Sequence, residues 1–230
     1  RVIRSAEKML MKPQIGWEAI QKLCLEAVAK FPAGTELYIK PMFYCADGFL
    51  LPDADKTQFV LHVFKVPMPG EQGFSACFSS FARSWPNMAP TDAKASCLYP
   101  NGQRAIREAM DKGFDNAIML DGDGNVAEFA SSNLWIAKDG VVSTPVDNGT
   151  FLNGITRRRV LALLKADGVD VQERSLTRAD IEAADEVFSS GNYGKVVHVN
   201  RVEDRKLEYG PMARRAHKLY MDYAESTRGK

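Results

Sequence analysis

The spacing of apolar positions predicts one helix and two strands in the first third of the chain. In WEAIQKLCLEAVAKF, residues 17–31, apolar side chains recur every three or four positions, and Pro32 to Gly34 end the pattern, as in an amphipathic helix. The stretches ELYIKPMFY (36–44) and TQFVLHVFKV (57–66) are rich in aromatic and β-branched residues and are separated by turn residues, which predicts two strands. A helix on a small sheet is expected.

A second, longer region follows the stretch PMPGEQG, whose prolines and glycines are typical of a linker. We therefore expect a small domain at 1–67, a linker at 68–73 and a large domain at 74–230. In the large domain the pattern predicts strands at 74–83, 116–120 and 132–138, and helices at 102–113, 155–168, 177–186 and 211–226. Gly168 suits a helix C-cap, and Thr177 and Asp180 have the spacing of a capping box.

Composition and charge exclude several classes of protein. The chain has 230 residues, 45% of them hydrophobic, and its 30 basic and 29 acidic residues leave a net charge of +1 without a basic block. Nucleic acid is therefore not expected as a partner. No apolar run approaches the roughly 20 residues that span a bilayer, and residues 1–12 lack the apolar centre of a signal peptide. We expect a cytoplasmic protein without a membrane contact.

The four cysteines do not indicate a metal or redox site. Cys24, Cys45, Cys77 and Cys97 lie far apart, with no CxxC pair. We expect all four to be reduced and buried, and we expect no bound metal.

The stretch AIMLDGDGNVAEFASSNLWI (117–136) has an acidic, glycine-rich centre. A calcium loop is excluded because its sixth position, which must be glycine, is Val126, and its twelfth, which must be glutamate, is Ser132. Asp123-Gly124 between apolar strands is a good hairpin turn. Glu128 then either enters the interior, where a carboxylate needs a positive partner, or points to solvent on the alternate face. This stretch alone favours solvent.

Two further stretches carry candidate chemistry. Lys94 lies among small and apolar residues in NMAPTDAKASCLYPNG, where burial would lower its pKa and favour the amine that attacks a carbonyl; the alternative is a surface lysine. Gly154, Ile155 and Thr156 open a strong helix. Their backbone N–H groups and hydroxyl suit a phosphate, although glycine and threonine also open many helices as simple caps.

Together these stretches resemble the fold-type IV pyridoxal-phosphate enzymes, specifically the branched-chain amino acid aminotransferases, over essentially the whole chain. The resemblance implies an α+β, two-domain fold similar to D-amino acid aminotransferase, with a small α/β domain and a larger domain containing a pseudo-barrel. It also implies that Lys94 carries pyridoxal 5′-phosphate as a Schiff base in APTDAK, and that Tyr99 contacts the phenolate oxygen. Glu128 in LDGDGNVAE would pair with the pyridine nitrogen, and residues 154–156 would bind the phosphate.

The same resemblance implies further contacts at the amino end and in the substrate pocket. Arg1, or Arg4 in its place, would grip the phosphate, and the small domain is expected to lack its first segment because the chain starts at this point. The family's Y-x-R-P and SGTA motifs read YIKP and SGNY here. They place the substrate-binding residues at Tyr38, Lys40, Asn192 and Tyr193, with Asn192 also near the cofactor.

The implied activity is transfer of an amino group from a branched-chain L-amino acid to 2-oxoglutarate. Glu128 would keep the ring nitrogen protonated, and Lys94 would carry the proton between Cα and C4′. The implied partners are amino acid and 2-oxo acid substrates and a second copy of the chain in a homodimer. The alternatives are a D-amino acid or (R)-amine transaminase or an aminodeoxychorismate lyase on the same fold, and a non-catalytic relative.

Overall fold

The computed structural model describes residues 1–227, which form two compact units. The first contains Arg1–Pro69 and Asp92–Cys97, and the second contains Gly70–Thr91 and the chain from Leu98 onward. The domain boundaries expected from the sequence, 1–67 and 74–230, place Asp92–Cys97 in the large domain. In the structure these residues belong to the first unit. The Lys94 backbone N–H donates to Ser5 Oγ at 3.0 Å, and Lys8 Nζ lies 2.9 Å from Asp92 Oδ2. The functional domain boundaries stay a prediction.

The first unit combines two helices with a β-hairpin. Its elements are α1 (Val2–Lys8), α2 (Trp17–Val28), β1 (Leu37–Cys45) and β2 (Thr57–Lys65). The two strands pair antiparallel from Leu37 opposite Lys65 to Cys45 opposite Thr57. The periodicity predicted α2, β1 and β2 but not α1, because seven residues are too few to establish a helical period.

The second unit is a mixed sheet of nine strands with four helices. The strands are β3 (Phe74–Phe78), β4 (Asn116–Leu120), β5 (Val126–Phe129), β6 (Asn133–Lys138), β7 (Val141–Pro145), β8 (Val171–Arg174), β9 (Glu186–Gly191), β10 (Lys195–Val202) and β11 (Arg205–Lys206). The helices are α3 (Tyr99–Asp111), α4 (Ile155–Ala166), α5 (Arg178–Ala183) and α6 (Pro211–Ser226). The strand order is β5-β4-β3-β10-β9-β6-β7-β8, and β11 pairs with β10. The predicted α+β class is confirmed.

Strand β6 lies between β9 and β7 in the sheet and is buried on both faces. Leu134 and Ile136 belong to one apolar cluster, while Trp135 and Ala137 belong to a second cluster that includes Leu164 of α4. Side chains alternate between the two faces of a strand. Burial on both faces therefore explains why LWIA, residues 134–137, is a continuous apolar run without polar alternation.

Two predicted helix ends have the geometry that their residue types indicate. Thr177 Oγ1 accepts from the Asp180 backbone N–H, and the Asp180 side chain accepts from Thr177 N, so the capping box of α5 is confirmed. Gly168 has φ +78° and follows Asp167, the C-cap of α4, by one residue. This left-handed conformation favours glycine.

The cysteines are free, but they are not all buried. Cys77 is buried, Cys24 and Cys45 are half-buried, and Cys97 is exposed. The expectation of four buried thiols is therefore wrong for Cys24, Cys45 and Cys97. Cys97 lies in a short 3₁₀ turn (Ser96–Leu98) before α3. Within residues 1–227, none of the helices combines the length and the apolar character that crossing a bilayer requires.

We expect Glu108 on α3 to make stability depend on acidic pH. Its carboxylate accepts from Lys112 Nζ at 2.9 Å, Ser80 N at 2.9 Å and Ser79 Oγ at 2.8 Å. The Lys112 hydrogen bond, helped by the two serines, lowers the pKa of Glu108 from 4.5 to about 2. A depressed folded pKa stabilises the protein above the unfolded pKa, and this contribution is lost as pH falls from about 4.5 towards 2.

Urea unfolding of the wild type and Glu108→Gln at pH 7 and pH 3 measures this effect. The wild type should be the more stable protein at pH 7, and the difference in unfolding free energy should shrink at pH 3. The same difference at both pH values would show that the charge of Glu108 is not its source.

Candidate active site

The hairpin formed by β4 and β5 places Glu128 in the interior. The two strands pair antiparallel with Met119 opposite Glu128, and Gly124 in the connecting turn has φ +85°. Glu128 is 7% exposed. The alternative that this carboxylate faces solvent is therefore wrong.

Arg83 supplies the positive charge that a buried carboxylate needs. Its Nη2 lies 3.1 Å from Glu128 Oε1, and the two side chains are 12% and 9% exposed. The guanidinium is itself fixed by an Nε–H hydrogen bond of 3.3 Å to the Thr150 carbonyl oxygen. A buried ion pair is stable only when its members are also hydrogen-bonded. Arg83 is both paired with Glu128 and hydrogen-bonded to the Thr150 carbonyl oxygen.

Asn133, the first residue of β6, contacts the other carboxylate oxygen. Its Nδ2 donates to Glu128 Oε2 at 3.1 Å and to the Leu152 carbonyl oxygen at 2.9 Å. The carboxylate is therefore held by a different side chain at each oxygen. The sequence motifs do not point to Arg83 or to Asn133. The only local signal was a polar residue at the edge of an apolar strand, in SSFARSW and FASSNLW.

Gly154 brings the N-terminus of α4 against the same asparagine. A Cβ atom built at Gly154 would lie 2.3 Å from Asn133 Oδ1. Because φ is −63°, which any residue can adopt, the glycine is required here by space and not by backbone conformation. Gly154 is the N-cap of α4 and has no side-chain capping bond. The first-turn N–H groups can therefore bind an anion.

The first turn of α4 also contains a buried cation. Arg157 is 1% exposed and donates from Nη2 to the Pro145 carbonyl oxygen at 2.7 Å and to Glu173 Oε2 at 3.0 Å. Thr156 beside it is 7% exposed, whereas Ile155 is 49% exposed. The positive end of the helix dipole and the guanidinium together favour negative charge at this end of α4.

Side-chain hydrogen bonds hold the loop that leads into α4 at several positions. Asn148 Nδ2 donates to Asp121 Oδ2 at 2.9 Å, and Thr150 Oγ1 donates to Asn148 Oδ1 at 2.7 Å. Thr91 Oγ1 donates to the Gly149 carbonyl oxygen. Asp121 thus serves as an anchor for this loop as well as for its own turn, where it accepts from the Asn125 backbone N–H at 2.9 Å.

Lys94 and Arg1 belong to the first unit. Lys94 is exposed, while Thr91 and Ala93 beside it are buried at 3% and 2%. The expected desolvation of Lys94 is therefore not found, because the alternating segment turns this side chain outward. Arg1 is exposed and forms the N-cap of α1. Their contacts with a cofactor stay predictions.

The predicted substrate residues lie on two hairpins. Tyr38 and Lys40 are two positions apart on β1 and so share one face. The Tyr38 ring stacks on Phe64 at 5.5 Å, and Lys40 is exposed. Asn192 and Tyr193 form the turn between β9 and β10, where Lys195 Nζ donates to the Asn192 carbonyl oxygen at 2.5 Å.

Tyr99 is the first residue of α3 and is 44% exposed. In the structure, Asn133 donates a hydrogen bond to Glu128 and also lies beside Gly154. The roles of Lys94, Tyr99, Arg1 and the two substrate hairpins stay predictions.

The second unit has the features that a phosphorylated pyridine requires. One end offers a buried carboxylate held by a guanidinium and an amide, suited to a protonated ring nitrogen. The other end offers a helix N-terminus whose glycine leaves no room for a side chain. These features fit pyridoxal 5′-phosphate.

Comparison with known proteins places the chain in a family. The family model described as Amino-transferase class IV matches residues 1–202. A probable branched-chain-amino-acid aminotransferase from Aquifex aeolicus is 32% identical over 238 residues, covering 100% of this chain and 76% of that protein. The branched-chain-amino-acid aminotransferase of Pseudomonas aeruginosa is 36% identical over 195 residues, covering 80% of this chain and 63% of that protein.

A solved structure agrees with the sequence matches. The crystal structure of an aminotransferase from Brucella abortus bound to the cofactor PLP has a TM-score of 0.96 and 43% sequence identity, and the match covers 98% of this chain and 81% of that one. This chain belongs to the class IV aminotransferases. The predicted family and the prediction of an enzyme of this type are confirmed.

Proposed function

We propose that this protein is a pyridoxal-phosphate-dependent aminotransferase that moves an amino group from a branched-chain L-amino acid to 2-oxoglutarate. The observation that carries the proposal is the buried Glu128 carboxylate, held by Arg83 and linked through Asn133 to the N-terminus of α4. Support for the substrate class comes from the relatives, which bear the name of branched-chain-amino-acid aminotransferases.

Glu128 and the first turn of α4 would hold the two ends of the cofactor. When bound, pyridoxal phosphate supplies a conjugated ring that accepts the electron pair left on the substrate Cα after proton loss. Glu128, paired with the Arg83 guanidinium, would favour a protonated ring nitrogen. The backbone N–H groups of Gly154, Ile155 and Thr156 bind the phosphate, with Arg1 as a further cation and Tyr99 at the phenolate oxygen.

Lys94 has two tasks in this proposal. Its amine binds the cofactor between turnovers, and after the substrate amine takes its place it accepts the Cα proton and delivers it to C4′. The exposed side chain of Lys94, which follows buried Ala93, is accessible for both tasks.

Tyr38, Lys40, Asn192 and Tyr193 are proposed to contact the substrate. Lys40 offers the substrate carboxylate a point charge without the bidentate fork of an arginine. Asn192 adds a hydrogen-bonding amide, and Tyr193 at the same turn narrows the space available to a side chain.

A spectroscopic assay tests the amino donor. Protein loaded with pyridoxal phosphate should absorb visible light, and leucine, isoleucine or valine should bleach this band, after which 2-oxoglutarate should restore it. A D-amino acid and an (R)-amine serve as matched donors of the other configuration. Bleaching by those compounds alone would assign the D-amino acid or (R)-amine reaction, and no bleaching by any of these donors would favour a lyase or a non-catalytic role.

The proposal extends to assembly and location. A homodimer is proposed because the family that the motifs resemble works in that form. A cytoplasmic location agrees with four cysteines that are all free in the structure, as is usual in a reducing compartment.

A further inference from the structure

Asn133 contacts both ends of the proposed cofactor site. Its Nδ2 donates to Glu128 Oε2 at 3.1 Å, at the end that would face the ring nitrogen. Its Oδ1 lies beside Gly154, at the end that would bind the phosphate. A Cβ atom built at Gly154 would be only 2.3 Å from this oxygen. One planar carboxamide therefore separates a carboxylate on β5 from the N-cap of α4.

The position of this carboxamide is fixed. The residue is 6% exposed and starts β6, where it pairs with Ser190 of β9. The second Nδ2 hydrogen bond, 2.9 Å to the Leu152 carbonyl oxygen, joins it to the loop that ends at Gly154. Because the amide has two donor hydrogens, both acceptors can be satisfied together, and the orientation of the amide is set.

We propose that Asn133 is a positioning residue that fixes the position of the Glu128 carboxylate relative to the N-terminus of α4. A structural change at the phosphate end of the site therefore also displaces the carboxylate at the nitrogen end. This inference rests on the proposed function. The cofactor has a fixed distance between its ring nitrogen and its phosphate, and binding is strong only when both sites match that distance at once.

Gly154→Ala is the disturbance that reveals this coupling. The added methyl would overlap Asn133 Oδ1 at 2.3 Å, so the carboxamide must shift, and the hydrogen bond to Glu128 would be strained with it. We expect affinity for pyridoxal phosphate to fall by about 10-fold, within the usual range for coupled neighbouring residues.

Asn133→Ala should relieve the clash. Removing the carboxamide weakens cofactor binding by itself, but it also creates space for the methyl group that Gly154→Ala adds. In this background Gly154→Ala should change the affinity by less than about 3-fold, because contacting sites are non-additive. Steric relief alone would also make the second substitution milder, so the same cycle measures the pH dependence of the absorbance of bound pyridoxal phosphate, which reports the protonation of the ring nitrogen that would face Glu128. Gly154→Ala should shift this pH dependence only where Asn133 is present.

The experiment is a double-mutant cycle in pyridoxal phosphate binding to cofactor-free protein, followed by fluorescence titration. Asn116→Ala is the matched control, since Asn116 is also a buried asparagine, 8% exposed, whose Nδ2 contacts Ser131 Oγ at 2.9 Å. The losses from Asn116→Ala and Gly154→Ala should add. Thermal unfolding checks each variant, and Asn133→Ser replaces Asn133→Ala if the alanine variant does not fold.

The outcomes separate the inference from the proposed function. Equal losses from Gly154→Ala in the wild-type and Asn133-substituted backgrounds would overturn the positioning role and leave the aminotransferase proposal in place. Wild-type protein that binds no pyridoxal phosphate would instead overturn the proposed function. Non-additivity at Asn133 with additivity at Asn116 is the result that supports the coupling.

Discussion

Replacing Lys94 by alanine is expected to lower the transamination rate by about 10³-fold or more, because a general acid–base group alone contributes roughly 10²–10⁴-fold. The variant should keep its affinity for the phosphate end of the cofactor, since residues 154–156 are unchanged. The measurement is the rate of bleaching by leucine in a single half-reaction. Added methylamine should restore part of this rate by replacing the missing amine.

Chemical mapping gives an independent result for the same residue. Borohydride reduction of the loaded wild type should attach the pyridoxyl group to Lys94, as located by peptide mass spectrometry. Lys165→Ala is the matched control, because Lys165 is also an exposed lysine and lies in the last turn of α4. A pyridoxyl group on another lysine, or full activity of Lys94→Ala, would disprove the assignment.

Glu128→Gln is expected to lower the rate by about 10²-fold, the scale of removing one preorganised electrostatic contact. A neutral amide cannot favour a protonated ring nitrogen. The same change removes the carboxylate beside Arg83, whose side chain is 12% exposed. Breaking a buried ion pair at one partner costs about 3 kcal/mol or more, so the free energy of unfolding should fall as well.

The double variant Glu128→Gln/Arg83→Met separates catalysis from stability. Removing both charges should recover much of the free energy of unfolding, because neither ion is then left buried without its partner. The rate should stay low. Urea unfolding and leucine turnover are the two measurements, and the exposed pair Lys22–Glu26, at 3.9 Å, provides a control substitution with an effect of at most about 1 kcal/mol. A double variant with wild-type turnover would exclude Glu128 from the chemistry.

Local patterns were sufficient for most elements. Period and composition placed α2, β1, β2, β4 and α6 within a few residues of their observed bounds, because each element carries its own apolar face and its own turn residues. The capping box at Thr177 could be read for the same reason. Helix α1 was missed because it is short, and the packing of residues 92–97 was missed because it depends on Ser5 and Lys8.

The sequence indicates some residues of the candidate site and not others. Motif spacing selected Glu128, Gly154 and Lys94 as members of one site. It did not select Arg83 or Asn133, which have no motif of their own and lie 45 and 5 residues from Glu128. It also suggested a buried Lys94, whereas the lysine is exposed. Burial depends on packing across the fold, and the composition of neighbouring residues does not report it.

The sequence by itself determined the family, the α+β class and the identity of the main candidate residues, because these depend on residue type and on short-range spacing. Only the tertiary structure decided that Glu128 is buried, that Arg83 and Asn133 hold its two oxygens, and that Gly154 must lack a side chain. The physical reason is that charge compensation and steric fit are properties of atoms brought together by strand pairing and helix packing. A single stretch of sequence contains only one side of each such contact.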